Sequence, residues 1–218
     1  MVSENDFYIY IFSWKTVTKN ALELYDKISS VYSNTYIINC DETVELPVEP
    51  DRQIQLCDDY YYGGQFQAAI RHVPKNKILG IVNGDVYPTA DWSAICKSCI
   101  HAFSNNDIGV YGPDVTQTTH RGRYKTLLRD SLYHINNTDC TCWFISPDVH
   151  PTLSNIPYFD ITNFGWGIDM ICAKEAYKTG LHVVRDYSVM IDQPSGTGYH
   201  KAEARDQMKA LLAYYKTI

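Results

Sequence analysis

Long apolar runs are missing from this 218-residue chain: no stretch approaches the ~18 apolar residues that a membrane span requires. The start, Met1 to Asp6, is polar and acidic, without the basic and then apolar segments of a secretory signal. These absences predict a soluble, unexported chain with a cytoplasmic location and no membrane partner. Net positive charge is missing too. A formal charge of −6 works against wholesale adsorption to nucleic acid or an anionic membrane, because the long-range field repels both. A disulfide framework is not indicated, since seven cysteines are an odd count, and an unexported chain keeps them reduced. The pairs Cys96/Cys99 and Cys140/Cys142 have a poor zinc pattern, and the first falls on the apolar face of an expected helix. The Asn136-Asn137-Thr138 sequon reads as a loop. Internal repeats, low-complexity tracts and Pro/Gly-rich linkers are absent, so one domain over 1–218 is expected. Both glycine-rich phosphate loops, G-x-G-x-x-G and the P-loop, are lacking, so any phosphate must be held by another device.

What is present is an alternation of element types. Phe7 to Phe12, Thr35 to Cys40, Gln53 to Cys57 and the wholly apolar Ile78 to Val82 read as strands. Between and after them apolar residues recur at helical spacing: Val17, Ala21, Leu24, Ile28 and Val31; Phe66, Ala69, Ile70 and Val73; Trp92, Ile95, Cys96, Cys99 and Phe103. Strands alternating with helices predict an α/β fold, a mostly parallel central sheet with helices on both faces. The second half is less regular. Ile108 to Tyr111 and Thr141 to Ile145 read as strands around a polar segment, Gly167 to Thr179 as a helix stopped by Gly180, Leu181 to Val184 and Ser188 to Ile191 as extended, and Lys201 to Tyr215 as a last helix. A mixed C-terminal part is therefore expected.

Ligands of open parallel sheets bind beyond the carboxyl ends of the strands. Three polar groups follow apolar runs there: Ser13-Trp14-Lys15, Asp41, and Asn83-Gly84-Asp85. Asp85 is the metal candidate, because a strand-end carboxylate suits Mg2+ or Mn2+, and the ion can neutralise a diphosphate. Gly63-Gly64 opens a helix whose backbone amides attract phosphate or a sugar hydroxyl.

Taken in order, Gly80 to Pro88, Gly109 to Pro113, Cys142 to Pro147, Phe164-Gly165-Trp166-Gly167-Ile168-Asp169 and Asp192 to Tyr199 resemble successive motifs of the family-2-like glycosyltransferases. The resemblance covers nearly the whole chain. It implies the GT-A type nucleotide-diphospho-sugar transferase fold, with 1–112 as the nucleotide-sugar-binding half and 113–218 as the acceptor half. It implies transfer, with inversion, from a nucleotide-sugar donor, UDP-linked, to a hydroxyl acceptor. By it Ser13, Trp14, Lys15 and Asp41 line the nucleotide pocket, Gly63, Gly64 and Gln65 open the helix over the donor, Asn83 and Gly84 belong to the metal motif, and Trp166 stacks on a sugar or base. Asp169 is the implied catalytic base, since displacement at the anomeric carbon needs a carboxylate within reach of the attacking hydroxyl.

Two positions depart from the family pattern. Asn83 replaces the first acid of the metal motif, leaving Asp85 as the chief ligand. Gln193 stands where many relatives have a histidine, which leaves Asp192 or His200 as substitute ligands. Between the strands, His120, Arg121, Arg123, Tyr124, Lys125 and Arg129 make a basic, aromatic-containing stretch. It points to a polyanionic acceptor, of which DNA bearing hydroxymethylated pyrimidines is one. Competing expectations are a nucleotidyltransferase that makes the nucleotide-sugar and a non-catalytic nucleotide- or glycan-binding module of the same fold. The first lacks its usual glycine-rich opening loop.

Overall fold

The computed structural model describes residues 2–87, 89–105, 107–116, 126–194 and 200–218. The amino-terminal half follows the expected alternation. Strands β1 (Phe7–Ser13), β2 (Thr35–Asn39), β3 (Gln53–Gln55) and β4 (Ile78–Asn83) are interleaved with helices α1 (Thr18–Ser29) and α2 (Tyr62–His72). These strands pair in parallel, β1 with both β2 and β4, and β2 with β3. Helix α3 (Trp92–Phe103) begins at Asp91, whose carboxylate accepts from Ala94 N–H at 2.9 Å. That bond satisfies one of the donors left over at a helix start.

The later elements are β5 (Ile108–Val115), β6 (Thr126–Arg129), β7 (Leu132–His134), β8 (Cys142–Ile145), short helices α4 (His150–Leu153) and α5 (Tyr158–Ile161), α6 (Ile168–Lys178), β9 (His182–Ile191) and α7 (Lys201–Tyr215). One sheet runs through both halves, in the order β3-β2-β1-β4-β8-β5-β9-β7-β6. Here the pairing is mixed: β8 lies antiparallel between β4 and β5, β5 and β9 are parallel, and the β6–β7 hairpin joins the far edge antiparallel to β9. Strands β6 and β7 were not anticipated. The two extended pieces expected around residues 185–187 are one strand, β9.

Each sheet face carries its own core. Ala21, Leu24 and Ile28 of α1 and Ile95, Cys99 and Phe103 of α3 cover one face. Phe66, Ala69 and Ile70 of α2, Ile168, Ile171 and Cys172 of α6 and Leu211 of α7 cover the other. Each such fully buried Leu, Ile or Phe contributes about 1.5–3 kcal/mol. Because β1 and β4 run parallel and β8 enters from the opposite direction, the ends of β1 and β4 and the start of β8 meet at one end of the sheet.

β9 also buries two charged residues, Arg185 and Asp186. Asp186 accepts from Tyr111 Oη at 3.0 Å, Ser131 Oγ at 2.5 Å, Ser188 N at 2.8 Å and Oγ at 2.7 Å, and also from Ser98 Oγ. It therefore ties β9 to α3, β5 and the β6–β7 turn. Arg185 pairs with Asp139 at 2.5 Å and Asp114 at 3.7 Å.

Candidate functional site

The strand-end turn after β4 is fixed from three sides. Gly84 N–H donates to Phe12 O at 2.8 Å, and a Cβ on Gly84 would come within 2.5 Å of that same oxygen, so only glycine lets β4 end this close to β1. Asn20 of α1 donates through Nδ2 to Gly84 O at 2.6 Å and Val86 O at 2.7 Å. Asn83 N–H donates to Thr141 O at 2.7 Å, which joins the turn to the segment leading into β8.

This clamped turn presents two side-chain oxygens. Asn83 Oδ1 and Asp85 Oδ1 are both buried and have no hydrogen-bond partner among the described residues. Asp85 Oδ2 accepts from Gln193 Nε2 at 3.4 Å, while Gln193 Oε1 accepts from Thr141 Oγ1 at 2.7 Å. Burial raises the Asp85 carboxyl above the usual carboxylate range, against the smaller lowering effect of the Gln193 bond. Buried acceptor oxygens without donors are costly unless something electropositive completes them. The donor set, one carboxylate and one amide oxygen, suits a hard divalent cation. Asp192 lies next to it: its carbonyl accepts from Tyr87 N–H at 2.8 Å, and its carboxylate accepts from Thr116 Oγ.

Around this turn stand the other strand ends. Ser13 is buried; its carbonyl accepts from Gln65 Nε2 at 2.9 Å, and the same amide group reaches Ile38 O at 3.1 Å. Gln65 thus holds the ends of β1 and β2 together from below. Trp14 O accepts from Val17 N–H at 2.8 Å, turning the chain into α1. Asp41 is buried and accepts from Thr43 N–H at 3.0 Å and Thr43 Oγ1 at 2.5 Å, which shapes the loop after β2. The Lys15 ammonium is paired with Asp58, and that bond raises its pKa.

Asp169 sits in the first turn of α6, behind Gly167, whose φ of 94° starts the helix in a left-handed conformation. Asn137 Nδ2 donates to Asp169 Oδ2 at 3.0 Å. Asn137 belongs to the same segment, 136–141, that touches the metal-candidate turn through Thr141, and Tyr62 Oη donates to Cys140 O of that segment at 2.8 Å. The two carboxylates therefore flank one short piece of chain.

No protein family and no curated protein matches the sequence. Solved structures do resemble the fold. Apo UDP-glucose pyrophosphorylase is 9% identical over 97% of this chain and 99% of that one, with a TM-score of 0.55. GalNAc-T7 with UDP, GalNAc and Mn2+ is 6% identical over 88% of this chain and 44% of that one, with a TM-score of 0.60. The fold is the one these nucleotide-sugar enzymes share. At such low identity the likeness speaks for the fold, and this chain spans under half of GalNAc-T7.

Within the nucleotide-sugar transferase fold, the sequence-predicted residues divide into groups. Asn83, Gly84, Asp85 and Asp192 come together, and Gln193, first noticed only as a departure, is the direct partner of Asp85. Gly63 and Gly64 are buried, and packing accounts for them. Gly63 N–H is taken up by Asn163 O at 2.8 Å, and Cβ atoms would meet Thr162 O at 1.7 Å and the Tyr60 ring at 2.4 Å. The expected open amide cradle is thus corrected at Gly63 to a helix start sealed by residues 162–163. His200 is exposed at the start of α7, and no described contact links it to Asp85. Trp166 is half-buried in the loop before α6. His120, Arg121, Arg123, Tyr124, Lys125 and residues 195–199 lie outside the described residues. Arg129, from the same basic stretch, is engaged with Asp107 at 2.5 and 2.8 Å. Asn20, Thr141 and Asn137 were missed, since a lone polar residue on a helix or in a loop carries no pattern. A cavity of about 280 Å³ lined by Asp6, Ile78, Ile108 and Asp148 opens at the opposite end of the sheet, away from this site. Among the described residues no helix is long and apolar enough to cross a membrane.

Proposed function

We propose that the chain is a glycosyltransferase moving a sugar from a nucleoside-diphosphate donor, UDP-linked, to a hydroxyl acceptor with inversion. The observation that supports it best is the pair of buried, partnerless oxygens of Asn83 and Asp85 at the carboxyl end of β4. They would hold Mn2+ or Mg2+ together with the donor's diphosphate, since among the described residues Asp85, Asp192 and His200 do not gather into a three-ligand cluster. The ion supplies positive charge against the departing diphosphate. Ser13, Trp14, Lys15 and Asp41 border the nucleotide, and Gln65 keeps the two strand ends beneath it in place. Gln193 orients the Asp85 carboxylate, while Thr141 holds Gln193. Asp169 takes the proton from the acceptor hydroxyl, with Asn137 fixing the orientation of its carboxylate, and Trp166 packs against the sugar.

The likeness to a solved structure with UDP and Mn2+ is in keeping with this reading. Its test is thermal unfolding with UDP, with and without Mn2+, because a ligand of the folded state alone raises apparent stability. Wild type should gain several degrees only when both are present, and Asp85→Ala should lose the Mn2+-dependent part. Asp169→Asn should keep the shift yet lose sugar transfer. A metal-independent shift in wild type, or turnover by Asp169→Asn, would remove the corresponding role.

A second enzyme reading, nucleotidyl transfer, is favoured by the end-to-end likeness to UDP-glucose pyrophosphorylase. The two differ in products. Transfer releases UDP, whereas pyrophosphorolysis of UDP-glucose with added pyrophosphate yields UTP and a sugar phosphate. A module that only binds would release neither. For the acceptor, the stretch Arg121, Arg123, Tyr124 and Lys125 supports modified DNA from sequence alone. Charge reversal at Arg121 and Arg123 should then weaken acceptor binding and spare donor hydrolysis.

A further inference from the structure

Residues 136–141, between β7 and β8, belong to neither helix nor strand, so no regular ladder fixes them. Other contacts do. Thr138 is buried against β5, where a Cβ on Gly112 would come within 2.7 Å of the Thr138 Oγ1. Tyr62 Oη donates to Cys140 O and itself accepts from Trp143 Nε1 at 3.0 Å. Near the middle of the segment, Asp139 Oδ2 accepts a charge-assisted bond from Arg185 Nη2 at 2.5 Å.

Arg185 also reaches in a second direction. It is 1% exposed, and its Nη1 lies 3.7 Å from Asp114 Oδ1, close to the end of β5. The pairing of β5 with β9 is broken at this place: the register passes from Pro113 opposite Asp186 directly to Asp114 opposite Met190, so residues 187–189 bulge out of the ladder. The contact between Arg185 and Asp114 spans that break. Removing one partner of so deeply buried a charge leaves the other poorly compensated, which holds the guanidinium to its two carboxylates.

Both directions end at Gln193. In the segment pinned at Asp139, Thr141 Oγ1 donates to Gln193 Oε1 at 2.7 Å. Two residues beyond Asp114, Thr116 Oγ1 accepts from Gln193 N–H at 3.4 Å. One guanidinium thus anchors both pieces of chain that grip Gln193, whose Nε2 meets Asp85 Oδ2 at 3.4 Å. A side-chain hydrogen bond weakens steeply as its angle departs from linear, so the position of Gln193 decides how firmly the Asp85 carboxylate is oriented.

We infer that Arg185, with Asp139 and Asp114, is a positioning residue for the donor site, acting on Asp85 through Gln193. This rests on the reading of Asp85 as the metal ligand and is tested apart from it. UDP affinity would be measured by titration calorimetry with Mn2+ and with EDTA, below the melting temperature of every variant. Asp139→Asn should weaken Mn2+-dependent UDP binding about fivefold and leave the EDTA value unchanged. Gln193→Ala should do the same, and the double variant should be no worse than Gln193→Ala alone, because residues acting along one route are not additive. Asp114→Asn, which loosens the same guanidinium from the other side, gives the same cycle if Asp139→Asn does not fold. A lowered melting temperature with unchanged Mn2+-dependent affinity would reduce the group to a structural ion pair and overturn the inference, as would losses that add in the double variant. Wild type without any Mn2+-dependent UDP binding would bring down the donor reading itself and the inference with it.

Discussion

Asp85, the proposed metal ligand, works against the ligand-free fold. Its Oδ1 is buried without a donor, its Oδ2 has only a 3.4 Å bond from Gln193, and burial raises its pKa. Leaving such an oxygen unsatisfied costs about 1–3 kcal/mol. Asp85→Asn removes the charge while keeping an oxygen for Gln193, so the ligand-free variant should be more stable than wild type by about 1 kcal/mol, a rise of about 2–4 °C in Tm. With UDP and Mn2+ the ranking should reverse, because only the carboxylate anchors the ion firmly. Calorimetry in both conditions checks this, and a variant less stable than wild type without ligand would show that Asp85 is a structural carboxylate. Asp85 drew notice in the sequence because it follows an apolar strand. That Gln193 is its partner was not legible, since Gln193 reaches it only through the pairing of β5 with β9, far away in the chain. Gln65 was legible as special but for a different reason: its amide faces inward to Ser13 O and Ile38 O.

At the scale of the element, β9 shows why the second half of the chain was hard to read. Leu181 to Val184 and Ser188 to Ile191 have strand patterning, but Arg185 and Asp186 interrupt it, and a charged pair reads as a turn. In the structure these residues are the most buried charges of the strand, satisfied by Asp139, Asp114 and a ring of hydroxyls drawn from other elements. β6 and β7 escaped notice because they are only four and three residues long, and β6, at the sheet's edge, has a single neighbour to shape its composition. Asp186 allows a direct test. Burial pushes its carboxyl pKa up, but hydrogen bonds from Ser131, Ser98 and Ser188 together outweigh that and leave it lowered. A lowered carboxylate stabilises the fold above its unfolded pKa of about 3.9 and loses that contribution as pH falls toward the folded value. Asp186→Asn should cost about 1–3 kcal/mol at pH 7 by urea unfolding, because the hydroxyls of Ser98, Tyr111, Ser131 and Ser188 lose a charged acceptor. The difference from wild type should narrow below pH 4, and a gap independent of pH would mean that shape, not charge, is what Asp186 supplies.

At the scale of the whole molecule, the two-faced core was readable, because the helical spacing of Leu24, Phe66 and Ile95 records which side chains turn inward. The insertion of β8 antiparallel between β4 and β5 was not, since no local pattern encodes strand order. That insertion brings Thr141 to the Asp85 turn, and it also leads the chain into α4 at the other end of the sheet, where His150 is buried. Burial pushes the His150 pKa down to about 4, only partly offset by the Ile145 carbonyl. A histidine lowered in the folded state binds fewer protons than in the unfolded chain at pH values between the two pKa values. Its contribution is therefore intact above the unfolded value of about 6.5 and lost as pH falls from there toward 4. His134 acts in the same direction, its pKa lowered by burial and then by the neighbouring His182 ring. Acid loss of stability should thus come in two stages, a histidine stage between pH 6.5 and 4 and a carboxylate stage below it. His150→Leu should flatten most of the first stage in a plot of Tm against pH and leave the second unchanged, with His134→Gln removing what remains. Parallel profiles for wild type and His150→Leu between pH 7 and 4 would show that the buried imidazole is not the group that opens the molecule to acid.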